Sequence, residues 1–221
     1  MAMSFDRAVM DAQRSHWARV FAENANMYGT DPSDPGRFAL DSFERESARE
    51  ILELGAGQGR DTLAFLAAGY RVTALDYAED ALRFLEQRAE EQGIAKWLTT
   101  VAHDVRRPLP LADESADAVY SHMLFNMALS TSELDELGRQ VHRVLRPGGL
   151  QFYTVRHIGD AHYGSGISHG DGMFESGGFI VHFFDEPLVD RLAAGFDVVD
   201  RAEFEEGGLP RKLWRITMRK Q

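Results

Sequence analysis

Apolar residues recur along this chain in two spacings, and the switch between them marks out the elements. From residue 50 onward, "ILEL" (51–54), "YRVTALD" (70–76), "WLTTVAHD" (97–104), "ADAVYSHML" (116–124) and "GGLQFYTVR" (148–156) are short runs rich in β-branched and aromatic residues, and they predict strands. Between them, residues 60–68 read as a helix closed by Gly69. Residues 79–92 place Ala81, Leu82, Leu85 and Ala89 on one helical face, with Gly93 as the stop. Residues 132–145 align Leu134, Leu137, Val141, Val144 and Leu145; Ser130 and Glu133 have capping-box spacing, Arg143 and Arg146 suit the negative end of the helix dipole, and Pro147 with Gly148 ends it. Such alternation predicts an α/β fold: a mostly parallel sheet with helices on both faces, binding its ligand at the carboxyl ends of the strands.

The flanks read differently. An amphipathic helix carrying Val9, Met10, Trp17, Val20 and Phe21 is followed by "MYGTDPSDPGRF", whose turn residues argue against regular structure at 29–36. After Arg156 comes a glycine- and histidine-rich stretch to about Gly178, then "FIVHFF", a helix from Glu186 capped by Asp185, and two strands joined by "EEGGLP" that should pair antiparallel. The expected organisation is one domain over 1–221: a covering segment (1–47), a ligand-binding core (48–156), and an acceptor-side loop with the last strands (157–221).

Composition narrows the function. Against 24 basic residues stand 35 acidic ones, giving a formal charge of −11, and such a field repels phosphate backbones and anionic lipid. Neither nucleic acid nor membrane is an expected partner. No cysteine is present, which excludes a thiolate nucleophile and a Cys-ligated zinc. The first 20 residues carry charges throughout, and no apolar run approaches the ~18 residues a membrane span needs, so a cytoplasmic protein, monomer or homodimer, is expected.

The glycine turn after the first strand is built for a nucleotide. A dinucleotide fingerprint, G-x-G-x-x-G, needs a small residue where this chain has Arg60. What stands instead is E-x-G-x-G-x-G, Glu53 to Gly59. Bare backbone at Gly55 and Gly57 lets a ligand approach closely, and the Glu53 carboxylate suits an ammonium group rather than a pyrophosphate. Asp76 ends the second strand, where a carboxylate can accept from both ribose hydroxyls. Asp104 ends the third, placed to accept an adenine N–H, with the Val105 amide beside it.

These segments, "ELGAGQGR", "ALD", "HDV", "ADAVYSHML" and "VLRPGGLQF", resemble in order the class I S-adenosylmethionine-dependent methyltransferases over about residues 50–156. The resemblance implies a Rossmann-like three-layer fold whose seven-stranded, mostly parallel sheet has its last strand antiparallel. It implies S-adenosyl-L-methionine as cofactor and a site lined by Glu53, Gly55, Gly57, Asp76, Tyr77, Asp104, Val105, Ser121 and His122. Within the class, "GRDTLAFLAAGYRVTALD" and Tyr28 with "DPS" look similar to the small-molecule group of tellurite-resistance and thiopurine methyltransferases. Tyr28, upstream of the first strand, is expected over the cofactor. An aminopropyl transferase or a non-catalytic binder of S-adenosylmethionine would share most of this site.

A small-molecule methyl acceptor is expected, because the surface is acidic and no appended recognition domain is seen. Transfer from a sulfonium mainly requires alignment and dryness, and a base only where the nucleophile carries a proton. His122, Asn126, Tyr153, Arg156 and His157 lie where such groups should be; His122, Arg156 and His157 are the candidates chosen, the latter two for an anionic acceptor. His157, His162, His169, His182 and Asp171 lack the spacing of a metal site. Their segment reads instead as a glycine-hinged loop walled by Tyr163, Phe174 and Phe179.

Overall fold

The alternation beginning at residue 50 closes into a single seven-stranded sheet in the computed structural model, which describes residues 7–24, 27–207 and 211–221. The chain opens with helices α1 (Arg7–Glu23) and α2 (Asp34–Arg45), followed by β1 (Glu50–Leu54), α3 (Arg60–Ala67), β2 (Arg71–Asp76), α4 (Glu79–Glu91) and β3 (Leu98–Ala102). It continues through β4 (Ala116–His122), α5 (Thr131–Val144), β5 (Leu145–Arg156) and three short strands, β6 (Ile167–Gly170), β7 (Met173–Ser176) and β8 (Phe179–His182). The last elements are α6 (Glu186–Leu192), β9 (Phe196–Glu206) and β10 (Arg211–Lys220).

Strand order is β3-β2-β1-β4-β5-β10-β9. The first five strands are mutually parallel, and β10 runs antiparallel between β5 and β9, as expected. Gly208, Leu209 and Pro210, in the turn predicted between these last strands, lie outside the described residues.

The period of two along each strand sorts the core into two layers. Leu52, Leu54, Val119, Tyr153 and Val155 pack against Leu134, Leu137 and Val141 of α5 and against Leu188 and Val189 of α6. Ile51, Val72, Ala118 and Phe152 face the other way, onto Phe43 of α2, Phe65 and Leu66 of α3, and Leu85 of α4. Each such side chain, fully buried, contributes about 1.5–3 kcal/mol. The capping box of α5 forms as its sequence predicts, the Ser130 hydroxyl accepting from Glu133 N–H while the Glu133 carboxylate accepts from Ser130 N–H at 2.9 Å.

Two elements differ from expectation. The Pro and Gly that marked residues 29–36 as turn belong in part to the first turn of α2: Ser33 is its N-cap, its Oγ accepting from Gly36 N–H at 2.9 Å, and Pro35 occupies a position that has no N–H to lose. The glycine-rich stretch after residue 157 is not a plain loop but holds the three-stranded antiparallel sheet β6-β7-β8. Glycines at its turns hide the alternation from a sequence reading. Among the described residues no helix is long and apolar enough to cross a membrane.

Candidate active site

Strand order turns back at β1, whose neighbours β2 and β4 lead away in opposite directions, and the crevice beyond their carboxyl ends is where an open α/β sheet binds. A cavity of about 350 Å³ lies there. Its lining residues fall into two groups that differ in charge.

One group lies at the glycine turn. Gly55 and Ala56 N–H both donate to Leu75 O on β2, which fixes the turn to the neighbouring strand. Gly57 N–H donates to Asp76 Oδ2 at 2.8 Å, and Ala78 N–H donates to Oδ1 at 2.8 Å, so Asp76 shapes the turn it faces. Gly57 has φ +53°, and a Cβ there would stand 3.1 Å from Phe21 Cζ, so only glycine admits this close approach of α1. Glu53, 4% exposed, lines the cavity and accepts from Thr62 Oγ1 at 2.6 Å. Burial first, and then the neighbouring Asp61 charge, push its carboxyl well above the usual range. Burial also raises Asp76, against the backbone N–H bonds it accepts. Asp61 accepts from Ser33 N–H (2.7 Å), Ser33 Oγ (2.8 Å) and Tyr120 Oη (2.7 Å), tying the start of α2 to the start of α3. Three carboxylates thus meet here with no cationic side chain paired to any of them among the described residues. Tyr77 and Val105 complete this group, with Trp17 and Phe21 of α1 over it.

A second group of lining residues is basic. His122, at the end of β4, has Nδ1 2.7 Å from Thr154 Oγ1 and Nε2 3.3 Å from Glu206 Oε2. Arg60 donates to Glu206 Oε1 at 3.1 Å and to Tyr28 O, its guanidinium 5.7 Å from the Tyr28 ring centre. Burial alone would raise Glu206, yet the hydrogen bond from His122 and the charge of Arg60 hold its carboxyl below the usual range. Arg156 donates two bonds to Asp160 (2.6 and 3.0 Å) and lies 5.0 Å over the Phe183 ring. Arg211, Phe174 and Phe179 close the wall.

Of the predicted site residues, Tyr28, Glu53, Gly55, Gly57, Asp76, Tyr77, Val105, His122 and Arg156 line this one cavity. Asp104, Ser121 and His157 do not. Asp104 is held by Arg106 through three bonds (2.6–3.1 Å), and Arg106 reaches on to Asp11 of α1 at 2.7 Å. Ser121 is wholly buried in β4. His157 stacks on Trp214, ring centres 4.5 Å apart and nearly coplanar in orientation (2°). Asn126 and Tyr153 are likewise buried away from the lining, and Tyr163 packs outside it on Phe174 and Phe183. The other histidines disperse: His162 to Arg156 and Asp160, His169 to Glu175, His182 to Leu129 O. Asp171 accepts from Thr131. Sequence reasoning did not single out Asp61, which falls in the helix predicted after the glycine turn, or Glu206 and Arg211, which fall in the predicted hairpin.

The cover is jointed. Gln13 Nε2 of α1 donates to Gly178 O (2.9 Å), and its Oε1 accepts from Ile180 N–H (3.3 Å), while His16 and Trp17 pack on Phe179.

Residues 51–149 match the family model of a methyltransferase domain. The malonyl-[acyl-carrier protein] O-methyltransferase of Methylococcus capsulatus is 42% identical over 107 residues, 47% of this chain and 36% of that protein. A probable S-adenosyl-L-methionine-dependent methyltransferase, TehB of Haemophilus influenzae, is 26% identical over 116 residues, 52% of this chain and 39% of that protein. The chain therefore spans well under half the length of these curated relatives. Among solved structures, the 1,6-didemethyltoxoflavin-N1-methyltransferase of Burkholderia thailandensis, which holds 1,6-didemethyltoxoflavin and S-adenosylhomocysteine, superposes with a TM-score of 0.73 at 21% identity, covering 100% of this chain and 92% of that one. Residues 51–149, which carry the glycine turn and its strands, thus match a methyltransferase domain, and the fold of the chain is that of S-adenosylmethionine-dependent methyltransferases.

Proposed function

We propose that this protein transfers a methyl group from S-adenosyl-L-methionine to a small-molecule acceptor in the cavity described. The observation that carries the reading is Glu53, a buried carboxylate facing the cavity with no cationic partner among the described residues and two further carboxylates nearby. A buried charge in that state calls for a cation. The ligand's ammonium and sulfonium fit that requirement, and the bare backbone at Gly55 and Gly57 leaves room for it.

The cofactor supplies an electrophilic methyl on a good leaving group. Thr62 holds Glu53 to receive the amino-acid end, and Asp76 keeps the glycine turn in shape. Trp17, Phe21, Phe174 and Phe179 keep water from the transfer. His122 and Glu206 form one hydrogen-bonded pair: with Thr154 donating to Nδ1, Nε2–H faces the carboxylate, and the two contacts fix the ring beside the acceptor. Arg156 fixes that wall through Asp160.

Calorimetric titration with S-adenosylhomocysteine should show binding near or below micromolar, and Asp76→Ala should weaken it by about 1–3 kcal/mol, since Gly57 N–H and Ala78 N–H lose their charged acceptor. No heat from the wild-type protein would overturn the cofactor assignment. Methyl-labelled cofactor incubated with a metabolite extract then tests the transfer.

Binding should also release a proton. An ammonium beside Glu53 favours its ionised form, whereas the free protein favours the protonated one. Affinity for S-adenosylhomocysteine should therefore rise with pH above the ordinary glutamate range until free Glu53 is itself ionised. Titrations in two buffers of different ionisation enthalpy count the proton, and Glu53→Gln should abolish the dependence. A pH-independent wild-type affinity contradicts the role given to Glu53.

A further inference from the structure

The basic group of residues lining the cavity has a charge surplus that the protein leaves unmatched. Three arginines, Arg60, Arg156 and Arg211, line the cavity, in a chain of net charge −11. Arg156 is neutralised by Asp160, which lies wholly buried beneath it, and Arg60 by Glu206. Arg211 lines the same cavity, partly buried, and its guanidinium makes no hydrogen bond or ion pair among the described residues. Glu206, the register partner of Arg211 on β9, already accepts from Arg60 and faces His122 with its other oxygen. Among the described residues the charge of Arg211 is therefore left over, in a cavity whose lining also includes Phe174 and Phe183.

Resting on the methyltransferase reading, we propose that the acceptor is an aromatic carboxylic acid, its ring against Phe174 and Phe183 and its carboxylate received by Arg211. A guanidinium presents parallel N–H donors that match the two oxygens of a carboxylate, and this fork is rigid. One surplus charge suits a monoanion; a phosphate dianion would bring a second charge into the cavity without a counter-ion. The phenyl rings of the wall favour a flat, apolar body over a sugar or an aliphatic chain. The acid group is thus a handle set apart from the atom that is methylated, which sits nearer His122 and the cofactor.

The test uses the full chain saturated with S-adenosylhomocysteine and benzoate as probe, followed by ligand-observed NMR, with benzamide and phenyl phosphate for comparison. Benzoate should bind in the millimolar range or tighter and at least tenfold better than benzamide, its neutral isostere, and better than phenyl phosphate. R211Q should weaken benzoate at least tenfold, with the affinity for S-adenosylhomocysteine and the thermal melt unchanged, and R211K should retain part of the binding. Benzoate binding no better than benzamide, or undiminished in R211Q, overturns the proposal, and so does a preference for phenyl phosphate. The two readings fail separately: binding of S-adenosylhomocysteine without any benzoate effect rejects the acceptor class alone, whereas no binding of S-adenosylhomocysteine rejects the methyltransferase reading and this one with it.

Discussion

Replacing Asp61 with alanine should lower the unfolding free energy by about 2–6 kcal/mol, read from the midpoint of a urea transition. Its carboxylate is the acceptor for three buried donors: Ser33 N–H, Ser33 Oγ and Tyr120 Oη. The two hydroxyls stand 3.2 Å apart and can satisfy one another in part, so two donors are left orphaned, at about 1–3 kcal/mol each. One effect opposes this, because the charge of Asp61 is among the causes that raise Glu53, and its loss eases that repulsion. Asp61→Asn separates the two contributions, keeping an acceptor for Ser33 N–H while removing the charge, and should cost less than alanine. A change below about 1 kcal/mol in Asp61→Ala would mean that the start of α2 is not fastened through this residue. The same substitution should loosen the approach of Tyr28 and Gly29 to the cavity, because Ser33 anchors the segment that carries them.

Gly59→Ala should cost about 2–5 kcal/mol by the same measurement. Gly59 is the N-cap of α3 with φ +80°, a left-handed conformation that costs an alanine about 1–2 kcal/mol. A Cβ there would also lie 2.3 Å from Leu85 Cδ1, 2.9 Å from its Cγ and 3.0 Å from its Cδ2, so the whole isobutyl group must move, and Leu85 is completely buried. Such overpacking adds about 1–3 kcal/mol. Gly69→Ala is the control: φ is +91° and nothing lies within 4 Å of the added Cβ, so only the backbone cost of about 1–2 kcal/mol remains. Equal losses in the two variants would show that α3 and α4 do not depend on the missing side chain. The dinucleotide fingerprint places its packing glycine one residue later, at Arg60; here Gly59 serves the close contact of α3 with α4, and Arg60 is free to reach Glu206.

What could be read in the sequence was whatever short-range periodicity decides. The strands, the capping box of α5, the glycine turn and the carboxylate ending β2 all follow from spacing within one element and its neighbours. Arg156 and His157 mark the limit. Position just beyond the fifth strand suggests that both face an anionic acceptor, yet successive residues of an extended chain point to opposite faces, so Arg156 enters the cavity and His157 turns onto Trp214. Asp104 shows a second limit, because a carboxylate goes to the strongest donor within reach, and Arg106 stands two residues on. Glu206 and Arg211 enter the site only through the return of β9 and the antiparallel placement of β10 beside β5, a pairing that no local pattern encodes. The β6-β7-β8 sheet was hidden by glycines that serve as its turns.

The bridge made by Gln13 has a thermodynamic meaning. The helix bearing it buries only Met10 and Gln13 among its described residues, so little of the core holds it in place. Trp17 and Phe21 on α1 and Phe179 on β8 all line the cavity, and Gln13 with His16 joins the two elements into one body. Under the proposed function, the first ligand to bind holds that body closed and the second meets it already ordered. Donor and acceptor then bind with positive cooperativity, and the linkage is reciprocal: the factor by which the donor tightens the acceptor is the factor by which the acceptor tightens the donor. The ternary complex is favoured over either binary one, which keeps the roof closed when both reactants are present and lets it open when one has gone.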